Sequence, residues 1–276
     1  AMEAAADADV IVFCGGISSR LEGEQMPIET EGFAHGDRTH IKLPEVQEDL
    51  LKKLHETGKP IVYVNFSGSA IALNWQEEHL PAIIQAFYPG EATGHALTRI
   101  IYGETNPSGR LPVTFYKSVD DLPDFLNYQM KDRTYRYFRG DPLYTFGYGL
   151  SYTSFEYSDL ELPEEIGIGE AFSVSVTVHN SGDMDGREVV QLYISDEVAS
   201  VPVPIRALGG MQAIFLEAGE SRTINFDMDP DQLALIDKDY IRKVEPGQFM
   251  ISVGGSQPDD EAIDRSSVVT GNINVQ

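Results

Sequence analysis

The sequence predicts an α/β domain followed by an all-β domain, and three observations support this. Residues 1–118 alternate short β-rich apolar runs with stretches of helical spacing, which is typical of a mostly parallel sheet. From Phe155 onward apolar residues recur at every second position, and turn clusters separate the runs. Residues 119–152 between them are crowded with aromatic side chains and show neither period. We therefore expect a mostly parallel α/β sandwich over 1–118, a connector over 119–152 and an antiparallel β-sandwich over 153–276.

The composition fits a folded protein and argues against two classes of partner. Of the 276 residues 42% are hydrophobic and 25 are glycine, which suits two domains of ordinary size with many turns. Lys and Arg total 20 against 44 Asp and Glu, so the formal net charge is −24. A field of this sign repels nucleic-acid phosphates and anionic lipid, and no apolar run reaches the ~18 residues of a membrane span. We expect neither nucleic acid nor a membrane as partner.

The first domain is predicted to contain a strand, a long loop and then alternating helices and strands. The run Val10–Phe13 predicts a strand that ends at Gly15-Gly16. Pro44, followed by apolar residues at helical spacing, predicts a helix that stops near Gly58. Two further strands and a second helix are expected at Ile61–Phe66, Ala82–Phe87 and Glu91–Ile101. Such an order places the loop after the first strand at the carboxyl edge of the sheet.

That loop carries two closely spaced glutamates, Glu22 and Glu24. In open α/β sheets ligands bind beyond the carboxyl ends of the strands, which is where the loop begins. Two neighbouring carboxylates disfavour ionising together, so one of them has a raised pKa, and this suits a general acid near neutral pH. From residue types alone, a solvated acidic loop without a chemical role remains the alternative.

Other motifs give no sign of a metal or a cofactor. The six histidines lack paired metal spacing, and Asp183–Gly186 lacks the closing ligands of a calcium loop, so a hairpin turn is expected there. There is no phosphate-binding or dinucleotide fingerprint, and Phe66–Ser69 is not a nucleophile elbow. Cys14 is the only cysteine, and its place in an apolar run predicts a buried, inert thiol.

The second domain shows strand alternation. Phe172–Val178 alternates strictly and Glu188–Ile194 nearly so, with turns at 180–182, 217–220 and 245–247. Several short strands at this spacing predict a β-sandwich. In the connector, tyrosines and phenylalanines interleave with arginines, and we expect these rings to pack onto the neighbouring domains.

A series of motifs resembles one known family. The first group is Gly15-Gly16, Leu21-Glu22-Gly23-Glu24, Gly36-Asp37-Arg38-Thr39, Leu43-Pro44 and Gln47–Leu51. The second, in the family's order, is Tyr88–Glu91, Tyr102-Gly103, Asn106–Pro112, Thr134–Phe138 and Pro142–Phe155. On these motifs the first domain resembles the second domain of family 3 glycoside hydrolases. The sandwich resembles the fibronectin type III-like domain found at the C-terminus of many family members. The stretches that match it are Val178–Gly182 and Gly186–Tyr193.

The resemblance implies a retaining exo-β-glycosidase that removes terminal β-linked glucose or xylose from oligosaccharides or from aryl and alkyl glycosides. In such enzymes an Asp on a preceding (β/α)8-type barrel attacks the anomeric carbon, and a Glu of the second domain is the acid/base. The motif position assigns that role to Glu24, with Glu22 as the close rival. It also implies that Arg20, Asp37 and Arg38 bind sugar or orient the acid/base.

The barrel and its nucleophile are missing from this sequence, and the sheet of the α/β sandwich is expected to be incomplete at its N-terminus. We therefore expect no turnover by this chain alone, and we expect the barrel portion of the same enzyme as a partner, possibly on a separate chain. The alternative is a non-catalytic carbohydrate-binding or scaffold protein. It would bind sugar or a partner without hydrolysis and would need neither Glu22 nor Glu24.

Overall fold

The structure is a computed structural model that describes residues 1–22, 25–35 and 37–276, without the side chain of Glu261. The chain divides into two compact units. The first comprises Ala1–Ala96, Thr114–Tyr128 and Gly140–Tyr144, and the second Leu97–Val113, Gln129–Arg139 and Thr145–Gln276. Parts of the expected connector thus belong to each unit, and the boundaries expected at 118 and 152 stay predictions.

The first unit is built on a three-stranded sheet in the order β1–β4–β5. Its elements are α1 (Met2–Ala6), β1 (Ile11–Gly16), β2 (Phe33–Ala34), β3 (Asp37–Arg38), α2 (Glu45–His55), β4 (Ile61–Phe66), α3 (Asn74–His79), β5 (Ala82–Gln85) and α4 (Thr93–Ile101), within which the chain passes to the second unit. β1 pairs with β4 and β4 with β5, both in parallel. This confirms the predicted parallel α/β arrangement.

Helix α2 covers one face of this sheet. It begins directly after Pro44, whose fixed φ is compatible with a helix start, and Gly58, with φ +70°, follows its end. Leu51 and Leu54 point inward and belong to the same buried cluster as residues of β1 and β4. The helical spacing read from the sequence therefore corresponds to this buried stripe.

The other face of β1 is open, and the predicted burial of Cys14 is wrong: its side chain is exposed. Side chains alternate along a strand, so Ile11 and Phe13 face the core whereas Val12 and Cys14 point to the opposite side. β1 is also an edge strand of this sheet, and Val12 is 48% exposed. The apolar run indicated a strand correctly, but it could not show that one face lacks a cover.

The second unit is built on a β-sandwich, and short helical segments lie before and within it. Its elements are α5 (Thr134–Tyr137), β6 (Phe155–Glu161), β7 (Glu165–Ile166), β8 (Phe172–Asn180), β9 (Gly186–Asp196), β10 (Ala207–Leu216), β11 (Ser221–Met228), β12 (Leu235–Ile236), β13 (Arg242–Lys243), β14 (Gly247–Gly254), α6 (Asp260–Asp264) and β15 (Val268–Val275). One sheet has the order β10–β9–β14–β15–β7 and the other β11–β8–β6. The pairs are antiparallel except β15–β7, which is parallel.

The alternation of β8 fills the core between these sheets. Val174, Val176 and Val178 are fully buried, and the serine and threonine between them are at least partly exposed. Inward residues of β9 and β14 complete the same cluster. The predicted sandwich is confirmed.

The turn at Asp183–Gly186 differs from the expected hairpin, because β8 and β9 lie in different sheets. The buried side chain of Asn180 organises this crossing. It accepts hydrogen bonds from Thr153 Oγ1 at 2.6 Å and the Gly182 amide at 3.3 Å, and donates to the Met184 carbonyl at 2.9 Å. The turn is therefore an inter-sheet connection fixed by one amide side chain.

Some of the connector rings pack within each unit, whereas Tyr128 is 89% exposed. In the second unit Tyr135 stacks on Phe146, with ring centroids 4.3 Å apart, and meets Tyr193 of β9 edge-on. In the first unit Tyr144 packs against Phe115.

Candidate active site

The carboxyl ends of all three parallel strands lead to one carboxylate, that of Glu22. Glu22 lies in the segment after β1, Ser69 in the turn after β4, and Tyr88 in the segment after β5. The structure brings these three side chains into contact. This is the edge at which open α/β sheets bind ligands.

Within the described part of the chain, the Glu22 carboxylate contacts hydrogen-bond donors and a guanidinium. Ser69 Oγ donates to Oε1 at 2.5 Å, the Gly68 amide donates to Oε2 at 3.3 Å, and the Tyr88 hydroxyl also donates to Oε2. Arg38 Nη1 lies 3.8 Å from Oε1, and the Glu22 side chain is 17% exposed. Both oxygens of Glu22 are thus engaged by the protein.

Gly16 and Gln47 fix the direction in which the loop leaves β1. Gly16 has φ +121°, and a Cβ there would lie 2.0 Å from the carbonyl oxygen of Phe66, so only glycine fits. The Gln47 side chain accepts from the Gly16 amide at 2.8 Å and donates to its carbonyl at 2.7 Å. Helix α2 therefore anchors the start of the loop.

Arg38 is held by the protein on three sides. Its Nε donates to the His40 carbonyl at 3.1 Å, its Nη2 donates to the Lys42 carbonyl at 3.0 Å, and its guanidinium lies 5.1 Å from the ring centre of Phe33. Burial lowers the pKa of Arg38, and the charge of Glu22 opposes this shift. Arg38 therefore presents one nitrogen to Glu22, and its expected contact with sugar stays a prediction.

The other expected site residues are less constrained by the structure. Asp37 lies in the short strand β3 and is exposed, as is Arg20 in the loop after β1. Glu24, the residue predicted to be the acid/base, lies outside the described residues, as do Gly23 and Gly36. The assignments of Glu24, Glu22, Arg20, Asp37 and Arg38 stay predictions.

A buried polar layer lies beneath Glu22 at the ends of β4 and β5. Asn65 accepts from the Tyr63 hydroxyl at 2.8 Å and donates to Gln85 Oε1 at 2.6 Å and to Ser67 Oγ at 3.2 Å. Gln85 donates in turn to Ser67 Oγ at 3.0 Å. Because Asn65 is fully buried, this network joins the ends of the two strands before Ser69 and Tyr88 leave them.

Sequence reasoning missed Gly68, Ser69 and Tyr88 as partners of Glu22. One signal was available, because these residues follow two predicted strands whose carboxyl ends share an edge with that of β1. Burial, and then the hydrogen bond to Glu22, raise the pKa of Tyr88 to about 12.

The described residues offer neither a metal-binding cluster nor a membrane-spanning helix. In the described ranges no group of three or more His, Cys, Asp or Glu side chains is arranged to hold a metal ion. None of the described helices has the length and apolar character needed to cross a bilayer.

Comparison with known sequences and structures places this chain in a family. Residues 1–152 match the profile described as Glycosyl hydrolase family 3 C-terminal domain, and residues 188–257 match that of the Fibronectin type III-like domain. The chain is 43% identical over 252 residues to the xylan 1,4-beta-xylosidase of Xylanibacter ruminicola, covering 91% of this chain and 29% of that protein. It is 36% identical over 276 residues to the thermostable beta-glucosidase B of Acetivibrio thermocellus, covering 94% and 35%.

Similarity to solved structures leads to the same family. A β-glucosidase from Erythrobacter marinus superposes with a TM-score of 0.85 at 37% identity, over 99% of this chain and 35% of that one. The β-glucosidase from Listeria innocua in complex with gluconolactone gives a TM-score of 0.81 at 27% identity, over 99% and 37%. This chain spans about a third of the length of these relatives. It belongs to the family 3 glycosyl hydrolases, whose C-terminal domain its residues 1–152 match.

Proposed function

We propose that this chain supplies the general acid/base of a retaining exo-β-glycosidase acting on terminal β-linked glucose or xylose. Relatives named as β-xylosidases and β-glucosidases support the substrate class. One structural observation carries the assignment within the site: Glu22 is held by protein donors at the carboxyl edge of the sheet, two residues before Glu24.

Glu24 is the acid/base in this proposal. A general acid must bring a carboxyl oxygen within hydrogen-bond reach of the leaving oxygen. Both oxygens of Glu22 already accept hydrogen bonds, from Ser69 on one side and from Gly68 and Tyr88 on the other. The same loop offers Glu24 as the other carboxylate, so Glu22 holds the loop and Glu24 exchanges the proton.

The nucleophile comes from another part of the enzyme. Retaining hydrolysis requires two carboxyl groups roughly 5–5.5 Å apart, one attacking the anomeric carbon and one acting as acid and then base. The family resemblance assigns the attacking Asp to a (β/α)8-type barrel, and this chain accounts for 29% of the related xylosidase and 35% of the related glucosidase. The chain alone therefore does not turn over, and the barrel portion is its partner, on the same chain or a separate one.

Arg38, Asp37 and Arg20 have supporting roles. Arg38 acts through Glu22, because its remaining nitrogen points to that carboxylate. Asp37 and Arg20 are exposed, and we assign them to the hydroxyl groups of the sugar.

The test uses the complete enzyme with Glu24→Ala, Glu22→Ala and, as a matched control, Glu31→Ala, which replaces an exposed glutamate of the same loop. Glu24→Ala is expected to slow hydrolysis of alkyl glycosides by roughly 10²–10⁴-fold and to be partly rescued by azide, because the general acid/base is lost. Activated aryl glycosides should suffer least in the glycosylation step, since their leaving groups need no proton.

Azide rescue of Glu22→Ala but not of Glu24→Ala would reverse the assignment. A complete protein that binds β-glycosides without hydrolysing them would instead favour the carbohydrate-binding or scaffold alternative.

A further inference from the structure

We propose that Tyr88 and Ser69 are positioning residues of the acid/base loop: by holding Glu22 they fix how Glu24 is presented to the substrate. The inference rests on the proposed function, because it takes Glu24 as the acid/base. It adds two residues, from the ends of β4 and β5, that nothing in the loop motif itself singles out.

The contacts join parts of the chain that are far apart in sequence. Ser69 lies 47 residues after Glu22, and Tyr88 lies 66 residues after it. Each side chain follows a strand of the parallel sheet, so the loop after β1 is fastened to the two neighbouring strands. These two strand ends therefore restrict the conformations that the loop can adopt around Glu22.

Gly68 shows that the place of the Tyr88 ring is built into the turn. A Cβ at Gly68 would lie 2.7 Å from Tyr88 Cε2 and 3.3 Å from Glu22 Oε2, so a side chain here would displace the ring. The amide of Gly68 also donates to the same carboxylate oxygen as the Tyr88 hydroxyl. Glycine is therefore needed for both donors to reach Oε2 together.

Tyr88 contributes little to the core, since it is 48% exposed. Its hydroxyl nevertheless donates a hydrogen bond to Glu22, in the loop that carries Glu24. A half-exposed tyrosine that binds a remote carboxylate orients that carboxylate more than it stabilises the fold. This separates its role from that of the fully buried Tyr63 below it.

The first experiment measures the loop without any activity assay. In the 276-residue chain the amides of Leu21 and Glu22 donate to the Ser18 carbonyl at 2.8 and 3.0 Å, so their hydrogen exchange reports how well this turn is held. Tyr88→Phe and Ser69→Ala are expected to raise these exchange rates about tenfold, because each removes one donor that fastens Glu22. Tyr102→Phe, at a residue that is 78% exposed, is the control and should change nothing.

The second experiment uses the complete enzyme. Tyr88→Phe should lower kcat/KM for alkyl glycosides roughly tenfold to a hundredfold, because a misplaced acid protonates the leaving oxygen poorly. It should leave dinitrophenyl glycosides nearly unchanged. Ser69→Thr, which keeps the hydroxyl, should restore what Ser69→Ala loses.

Two results would overturn the inference. Equal loss on alkyl and dinitrophenyl substrates would mean that Tyr88 only stabilises the fold, and unchanged exchange at Leu21 and Glu22 would mean that it does not hold the loop. Failure of the proposed function has a separate signature: Glu24→Gln would leave alkyl glycoside hydrolysis intact. If Glu24→Gln abolishes hydrolysis while Tyr88→Phe has neither effect, only the positioning role is lost.

Discussion

The hydroxyl of Tyr88 donates a hydrogen bond to Oε2 of Glu22, and this bond joins the carboxyl ends of β5 and β1 across the sheet. The phenol is next to a carboxylate and partly desolvated, so losing its proton would bring two negative charges together. Burial, with this contact, raises the pKa of Tyr88 to about 12. The titration of one side chain therefore reports the geometry of the loop.

Replacing Glu22 with Gln should lower the pKa of Tyr88 toward the ordinary value of 10.0, because the charge and the charge-assisted bond disappear while the burial remains. For a group whose pKa is raised on folding, its contribution to stability is complete below the unfolded value and is lost as pH rises through the folded value. In the variant this loss still begins near the unfolded value, but it ends at lower pH and is smaller. Tyrosine ring carbon shifts in labelled protein measure the pKa of Tyr88, and urea midpoints at a series of pH values measure the stability, with Glu31→Gln as control. An unmoved Tyr88 titration would contradict the contact.

Gly16→Ala is expected to destabilise the first unit by about 2–4 kcal/mol, because the new Cβ would clash with the Phe66 carbonyl and the backbone φ is unfavourable. Gly90→Ala, which meets no atom within 4 Å, should stay within about 0.5 kcal/mol of the parent. Urea unfolding followed by Trp75, the single tryptophan, reads the first unit directly. Equal effects of the two substitutions would mean that Gly16 has room for a side chain.

Most of the fold could be predicted from local sequence patterns. The apolar run Ile61–Phe66 and the alternation over Phe172–Val178 each indicated a buried strand from adjacent residues alone. The observed strands β4 and β8 contain these two runs. The contacts of Glu22 could not be predicted in the same way. Its partners Ser69 and Tyr88 are remote in sequence, and their identity depends on how three strand ends are aligned.

Two errors have the same kind of origin. An apolar run does not say whether both faces of its strand are covered, and Cys14 lies on an open face of the edge strand β1. A turn sequence between two strands does not say whether they share a sheet, and Asp183–Gly186 crosses between sheets. Both properties are set by the arrangement of elements rather than by local sequence.

The exposed position of Cys14 predicts that the folded 276-residue chain reacts with a thiol reagent at one site, without denaturant. We expect a rate within about tenfold of that of the urea-unfolded chain, because access rather than activation limits an exposed thiol. Cys14→Ser is the control for reagent background. A thiol that reacts only after unfolding would show that this face of β1 is covered.

A buried ion pair in the second unit predicts a large loss of stability when its cation is removed. Arg110 Nη2 lies 2.5 Å from Glu188 Oε2, and the two side chains are 10% and 2% exposed. The Tyr157 hydroxyl donates to the other oxygen of Glu188 at 2.8 Å. Arg110→Met is expected to cost about 3–5 kcal/mol, because it leaves a buried carboxylate without its cation. Urea unfolding followed by far-ultraviolet circular dichroism, to which the strands of the second unit contribute, measures the change. Arg222→Met, at an exposed pair, should change little; a small effect of Arg110→Met would contradict the burial of the pair.

The titration of Glu188 makes the stability of the second unit depend on pH. Burial raises the pKa of Glu188 above its ordinary 4.5, although Arg110 and the Tyr157 hydroxyl partly oppose this. The folded protein then binds its proton more tightly than the unfolded chain, so stability falls as pH rises from about 4.5 through the raised value. Glu188→Gln removes this titration and should lose less stability over that interval, whatever constant offset the lost charge adds. Urea midpoints of the two proteins at a series of pH values measure the difference, and parallel curves would show that Glu188 titrates alike in both states.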